Sequence, residues 1–250
     1  SNMDCTSCMN CVRACPYDNV AITLRSPAWE WTHAPWQTAG KTSIMVLGTV
    51  LAFWGLLTAT AMIGPFFSFA EWLAQTLNTK SEFLLLAVFF LLTALLGMLI
   101  TLAISSLADY LGGKRQGPIA AFKRWGYVNV ALGFGFWGAH YIFHFLTGAL
   151  LIVPVFQYFF EYRGFAIDTN WRLAQLVPTS ALFSITALIV AAYAFLACYV
   201  VVRIALRDFG RRGVLAMWPM LLYVLGFTAL AIMILGQPME MRGSIFGVSF

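Results

Sequence analysis

Four cysteines near the start of the chain have the spacing of an iron-sulfur ligand set. Cys5, Cys8, Cys11 and Cys15 are followed at once by Pro16, which gives the pattern C-x2-C-x2-C-x3-C-P. Closely spaced thiolates in this pattern bind the irons of a cubane 4Fe-4S cluster. A zinc site usually has two CxxC pairs separated by a longer loop, and a disulfide framework needs an oxidising compartment. The spacing therefore predicts a 4Fe-4S cluster at these four cysteines.

The number of clusters stays open at this point. In two-cluster ferredoxins the fourth cysteine of such a run binds the other cluster, and this sequence holds no second run. Cys198 lies in an apolar segment, where a thiol is an inert packing group. Either the four cysteines bind one cluster, or another cysteine-rich segment shares the ligands. Because only four residues precede Cys5, we expect a fragment, or a chain whose N-terminal part lies outside this sequence.

The remainder of the chain has the composition of a membrane protein. Hydrophobic residues make up 61% of the 250 residues and charged residues only 10%, which excludes an ordinary soluble domain. The net charge of +5 comes from short basic clusters between apolar segments. A nucleic-acid-binding protein would instead show a continuous basic surface. We therefore expect lipid, and no nucleic acid, around this chain.

Five apolar segments are long enough to cross a hydrocarbon core of about 30 Å, which takes about 20 helical residues. The segment 65–78 is shorter, and its aromatic residues suit a helix lying in the membrane interface. The sequence thus predicts an all-α integral membrane protein with about five transmembrane helices. The predicted parts are a ferredoxin-like segment at 1–25, an interfacial linker at 26–42 and a membrane domain at 43–250, with spans at 43–64, 83–107, 126–153, 180–204 and 214–236.

Two loops that are rich in lysine and arginine predict the orientation of the chain. The positive-inside rule places both loops in the cytoplasm, and five crossings then place the cluster inside and the C-terminus outside a bacterial or archaeal inner membrane. These cations also suit an acidic electron donor or anionic lipid, although topology alone accounts for them. The loops contain Lys114, Arg115, Lys123 and Arg124 after the second span, and Arg207, Arg211 and Arg212 after the fourth.

Two histidines in the third predicted span form the second candidate site. His140 and His144 are four residues apart, so both lie on one face of a helix. Polar side chains at membrane depth are costly, and they often mark functional sites. The same helix carries small residues at Ala131, Gly135 and Ala139, a spacing that predicts close packing against a neighbouring helix.

From the sequence, haem binding, quinone binding and structural packing stay open for the histidine pair, whereas a mononuclear metal site wholly within this chain finds no support. A haem b with two histidine ligands needs a partner helix or a methionine for its second ligand, because two residues on one helix face cannot bind opposite sides of one iron. A copper or non-haem iron site needs a third ligand, and the predicted spans contain no Asp or Glu. A quinone needs a hydrogen-bond partner and an aromatic slot. The structural alternative is hydrogen bonding of both rings to neighbouring helices.

The run from Cys5 to Pro16, joined to several membrane helices, resembles the membrane-bound polyferredoxin proteins that serve periplasmic nitrate and nitrous oxide reductases. This resemblance covers the cysteine run alone. It implies electron transfer between quinol or a cytoplasmic donor and extracytoplasmic partners, with Cys5, Cys8, Cys11 and Cys15 as cluster ligands.

The sequence therefore predicts a membrane-bound electron-transfer subunit. It would relay electrons between the iron-sulfur cluster and the quinone pool or another redox subunit, within a quinone-linked oxidoreductase of a respiratory chain. The alternative is a non-catalytic membrane anchor, or an assembly or redox-sensing factor of such a complex. The sequence points to no catalytic residue, so whether this chain is itself an enzyme stays open.

Overall fold

The computed structural model describes residues 9–17 and 42–238, and these residues are helical without a β-strand. A one-turn helix precedes the membrane domain, and eight further helices follow within 42–238. Two short 3-10 turns lie at Trp171–Ala174 and Gly210–Arg212. The α-helices are α1 (Asn10–Ala14), α2 (Thr42–Thr60), α3 (Gly64–Thr76), α4 (Glu82–Leu111), α5 (Pro118–Trp125), α6 (Val128–Gly148), α7 (Ile152–Tyr162), α8 (Thr179–Phe209) and α9 (Gly213–Leu235).

Four continuous stretches of the described residues are long and apolar enough to cross a membrane, as expected of an integral membrane protein. The fourth stretch takes in both α8 and α9 and turns back on itself at Gly210. Gly236, just after α9, lies against the ring of Phe183 near the start of α8, so the two helices run antiparallel. The stretches are Thr42–Thr60, Glu82–Leu111, Val128–Tyr162 and Trp171–Leu235.

Local sequence signals account for several helix ends. The side chain of Ser81 accepts a hydrogen bond from the backbone N–H of Leu84 and caps the start of α4. Pro118 begins α5, where a missing N–H costs nothing. Gly117 precedes it with a positive φ of 89°, a conformation that favours glycine.

The structure differs from the predicted segments in several places. The basic loop after the second span contains a helix, α5. The third span does not continue to residue 153 but ends at Gly148, and α7 starts anew at Ile152 with Pro154 in its first turn. Proline is tolerated in a first turn but not in a helix interior. The fourth span extends as α8 to Phe209.

Helix α6 packs against α8 and α2, while α9 packs against α8 and α4. The small residues of α6 lie in these contacts, as the sequence predicts. Gly135 lies against Tyr193 of α8, and Gly133 lies against the backbone of Ala52 in α2. A side chain at either glycine would push the helices apart, so the small residues set the close packing.

Helix α3 forms a separate apolar cluster with the end of α2 and the start of α4. Phe66 and Phe67 are buried there against Phe89, whereas Phe69 and Trp72 are exposed and stack on each other. A 13-residue helix thus occupies the segment for which the sequence predicts an interfacial helix. Its position in the membrane interface stays a prediction.

Candidate functional site

The cysteine segment is described in part. Helix α1 begins after Met9, whose backbone is left-handed with a φ of 63°. Cys11 is exposed, and Cys15 ends the helix in a half-buried position. The two residues are four apart and therefore lie on one side of the turn. Two thiols presented in this way suit iron-sulfur ligation in their donor chemistry.

The full set of predicted cluster ligands extends beyond the described residues, because Cys5 and Cys8 lie outside them. Within residues 9–17 and 42–238, no three His, Cys, Asp or Glu side chains form a group that could hold a metal ion. Cys198 is partly buried on α8 and packs against the core of the bundle. The predicted ligation by Cys5, Cys8, Cys11 and Cys15 stays a prediction.

His140 and His144 lie one turn apart on α6, as their spacing predicts. Their ring centroids are 4.7 Å apart, and the ring planes meet at 74°. His140 is only 5% exposed, whereas His144 is half-buried. With a rise of about 1.5 Å per residue, His140 lies about 18 Å along the axis from Val128 and His144 about 24 Å. The pair thus lies in the second half of α6.

Neither imidazole forms a hydrogen bond with any residue in the described part of the chain. The Nδ1 atom of His140 is completely buried and has no partner among the residues that the structure describes. The structural alternative for the pair, hydrogen bonds to neighbouring helices, is therefore not observed among residues 42–238. An unsatisfied buried polar group costs about 1–3 kcal/mol, and each such group in a native structure calls for an explanation. A bound molecule that supplies the missing partner is one.

Two aromatic side chains form a fixed wall beside the histidines. The rings of Trp137 and Tyr141 stack at 5.4 Å with an angle of 23°. The indole N–H of Trp137 donates to the carbonyl oxygen of Leu51 at 2.8 Å, which ties the wall to α2. Gly55 leaves room for this indole, since a Cβ there would lie 3.1 Å from its nitrogen. The exposed ring of Tyr141 places the wall at the outer surface of the bundle.

This arrangement has the parts that bind a quinone headgroup. Such a site needs a hydrogen-bonding group and an apolar or aromatic slot. His140 supplies an unpaired nitrogen, and the stacked rings of Trp137 and Tyr141 supply an aromatic surface. A haem fits less completely, because both imidazoles lie on one face of α6. Its second axial ligand would have to come from a methionine or from a partner chain.

A buried polar cluster joins four helices elsewhere on α6. The side-chain amide of Asn129 donates to the hydroxyl of Thr49 at 2.8 Å and to the hydroxyl of Thr101 at 3.0 Å. The hydroxyl of Tyr223 donates to the amide oxygen of Asn129 at 2.6 Å. All four side chains are buried. The sequence alone does not identify these partners on α2, α4 and α9.

A second polar cluster corrects the interpretation of Arg124. Its guanidinium group pairs with Asp109 at the end of α4, with Asp208 at 3.0 Å near the end of α8, and with Gln116 at 2.7 Å. The indole N–H of Trp125 also donates to Asp109 at 2.9 Å. Arg124 is therefore an internal cross-link and is not available to an electron donor or to lipid. Asp109 lies in a helix that the sequence predicts to end two residues earlier, and this ion pair explains the extension.

No family model, curated protein or solved structure matches this chain. Its candidate function therefore rests on the geometry of its own residues.

Proposed function

We propose that this chain is a membrane-bound electron-transfer subunit, with an iron-sulfur cluster at one end and a quinone site at His140 and His144. The observation that carries the proposal is the buried Nδ1 atom of His140, which has no partner among the described residues. A quinone carbonyl can accept a hydrogen bond from this atom when the imidazole carries its proton there. The cysteine run adds the second redox group, with Cys5, Cys8, Cys11 and Cys15 as the ligands of a 4Fe-4S cluster.

The proposed topology has five crossings, formed by α2, α4, α6, α8 and α9. The end of the bundle that holds Arg124 and the turn at Gly210–Arg212, here called the basic end, faces the cytoplasm according to the positive-inside rule. The N-terminal cluster lies on that side, and the chain leaves α9 on the other. His140 is about 18 Å from the start of α6. An electron relay over this distance requires another cofactor or a partner redox subunit.

The residues around the pair have distinct tasks in this proposal. A bound quinone supplies two-electron, two-proton chemistry. His140 orients one carbonyl oxygen of the headgroup through a hydrogen bond. The half-buried His144, with its centroid 4.7 Å from that of His140, would exchange protons with the headgroup, because a neutral imidazole has one nitrogen that donates a proton and one that accepts. The stacked rings of Trp137 and Tyr141 hold the headgroup plane and exclude water from one side.

Binding of a short-chain quinone analogue to the detergent-purified chain tests the histidine site. We expect His140→Leu to weaken binding at least tenfold, with a thermal midpoint that is unchanged or raised, because the variant removes an unpaired buried nitrogen. His144→Gln should bind the analogue but slow quinol-driven electron transfer, because an amide cannot replace an imidazole in proton exchange. Phe134→Leu, an exposed site on the same helix, is the control and should match the wild type.

Other results would contradict the histidine site. Equal quinone binding by the wild type and His140→Leu would rule out the proposed quinone site at His140. A lower protein level or thermal midpoint in His140→Leu, without a specific loss of binding, would support the packing role and the alternative function as a membrane anchor or assembly factor.

Anaerobic iron and sulfide analysis of the same preparations tests the cluster. We expect about four iron and four sulfide per chain, a loss of iron in Cys11→Ser, and no loss in Cys198→Ser, which alters the packed cysteine on α8. Iron that appears only with a co-purifying cysteine-rich subunit would show a shared cluster. Wild-type protein without iron under both conditions would contradict the cluster.

A further inference from the structure

The basic end carries far more positive than negative charge. Residues 109–126 and 203–213 contain eight lysines and arginines but only two acidic residues, Asp109 and Asp208. Arg124 binds both of these carboxylates. Five of the other cations form no ion pair with any residue that the structure describes. They are Lys114, Arg115, Lys123, Arg211 and Arg212.

Two of these cations come together at the turn that ends α4. The guanidinium group of Arg212 lies directly over Gly113, in the space that a Cβ would need. The ammonium group of Lys114, the next residue, lies 4.8 Å from the centre of the Phe209 ring. Both side chains are thus held by packing between the end of α4 and the start of α9. Two positively charged groups at one turn, without an ion-pair partner among the described residues, match the charge of a phosphate group.

The membrane surface directly below this turn is apolar. Leu107 and Leu111 of α4 are exposed, and so are Leu215 and Trp218 of α9. The two helices pack against each other, and the four side chains lie in the two turns of each helix next to this end. Membrane topology alone requires only an excess of cations on one side. It does not require Arg212 to pack over a glycine next to exposed apolar side chains.

We propose that an anionic phospholipid binds at the basic end, with its phosphate between Lys114 and Arg212 and its acyl chains along the exposed apolar side chains of α4 and α9. The two cations match the charge of the headgroup, and the exposed leucines match the chains. A soluble acidic protein would satisfy only the charges. This lipid site is independent of the proposed quinone site.

Lipid binding to the delipidated, detergent-purified full chain tests this site. Native mass spectrometry counts the lipids retained after addition of diphosphatidylglycerol, phosphatidylglycerol or phosphatidylcholine. We expect the double variant Lys114→Gln/Arg212→Gln to bind diphosphatidylglycerol roughly 30-fold more weakly than the wild type, because two phosphate-binding charges are lost. The matched control is Lys80→Gln/Arg163→Gln, the same change of charge at two exposed residues of the opposite end. It should bind like the wild type.

Three results would overturn the lipid site. The first is equal affinity of the wild type and Lys114→Gln/Arg212→Gln at the same ionic strength. The second is an equal loss in the control variant, which would mean that only net charge matters. The third is full displacement of the lipid by inorganic phosphate at the same concentration, which would assign the turn to free phosphate. Retention of anionic lipids over phosphatidylcholine, lost only in Lys114→Gln/Arg212→Gln, would establish the site.

Discussion

At the scale of single residues, two buried polar side chains of α6 differ in their hydrogen bonding. Asn129 uses both its amide hydrogens and its oxygen in hydrogen bonds to three other helices. His140 has a buried nitrogen with no partner among the described residues. A polar group in an apolar environment is stabilised only by such bonds. Asn129 is therefore part of the scaffold, and His140 is the residue that needs a ligand.

Loss of the Asn129 amide should destabilise the bundle. We expect Asn129→Ala to lower the free energy of unfolding by about 2 kcal/mol, since three interhelical hydrogen bonds of about 0.6 kcal/mol each are lost. Tyr223→Phe removes one of these bonds and should cost less than half as much. Equilibrium unfolding in mixed detergent micelles measures both variants, and Tyr223→Phe should cost little more in the Asn129→Ala background.

Thr228→Ala is a matched control for this prediction, because the Thr228 hydroxyl bonds only to a carbonyl of its own helix, that of Val224 at 2.7 Å. It should change the stability by less than about 0.5 kcal/mol. Additive effects of Asn129→Ala and Tyr223→Phe would show that the two side chains do not share a bond.

The sequence predicts which residues are unusual better than it predicts what they contact. The spacing of His140 and His144 gives their common face, but the sequence identifies no partner for Asn129. The partners of Asn129 lie 28 to 94 residues away in sequence, and helix periodicity carries no information about such pairs. Arg124 shows the same limit, because Asp208 lies 84 residues away.

At the scale of whole helices, the length of the apolar segments predicts where the chain is helical. The positions of the charged residues, in contrast, predict helix ends that differ from the observed ones. The basic segment around Lys123 is predicted from its composition to be a loop, yet it forms α5, in which Arg124 is paired. The carboxylates of Asp109 and Asp208 lie at the ends of α4 and α8 and pair with Arg124. Paired charges do not end a helix, whereas Pro154 does mark the start of α7.

Close approach of α6 and α8 at Gly135 is a testable feature of this packing. A Cβ at Gly135 would overlap the side chain of Tyr193, with the ring carbon Cγ at 3.0 Å. We expect Gly135→Ala to lower the free energy of unfolding by about 1–3 kcal/mol through overpacking. Thermal unfolding of the purified protein, in the detergent used for the wild type, measures the effect.

Gly138 on the same helix provides the control for this overpacking. A Cβ there would meet only Ile189 at 3.9 Å, an ordinary contact. Gly138→Ala should therefore be neutral or stabilising by about 0.5–1 kcal/mol, because alanine favours the helical backbone. Similar destabilisation by both substitutions would show that the effect does not come from close packing at Gly135.

At the scale of the whole molecule, charge and hydrogen bonding organise the two ends of the bundle differently. Arg124 joins α4, α5 and α8 at the basic end. At the opposite end, the loop after α7 folds back onto that helix, where the carboxylate of Glu161 accepts from the backbone of Thr169 and the side-chain oxygen of Gln157 accepts from Asn170. The basic end thus holds helices together, and the opposite end holds a loop against one helix.

This asymmetry predicts the accessibility of each end in intact cells. Asp168 is exposed in the loop after α7, and Arg211 is exposed in the turn between α8 and α9. If the basic end faces the cytoplasm, a membrane-impermeant maleimide should label Asp168→Cys in intact cells but label Arg211→Cys only after permeabilisation, with the wild-type chain as the background. The reverse labelling would invert the proposed orientation. Labelling of both residues in intact cells would mean that α8 does not cross the membrane, because this helix alone separates the two positions by 31 residues, or about 46 Å.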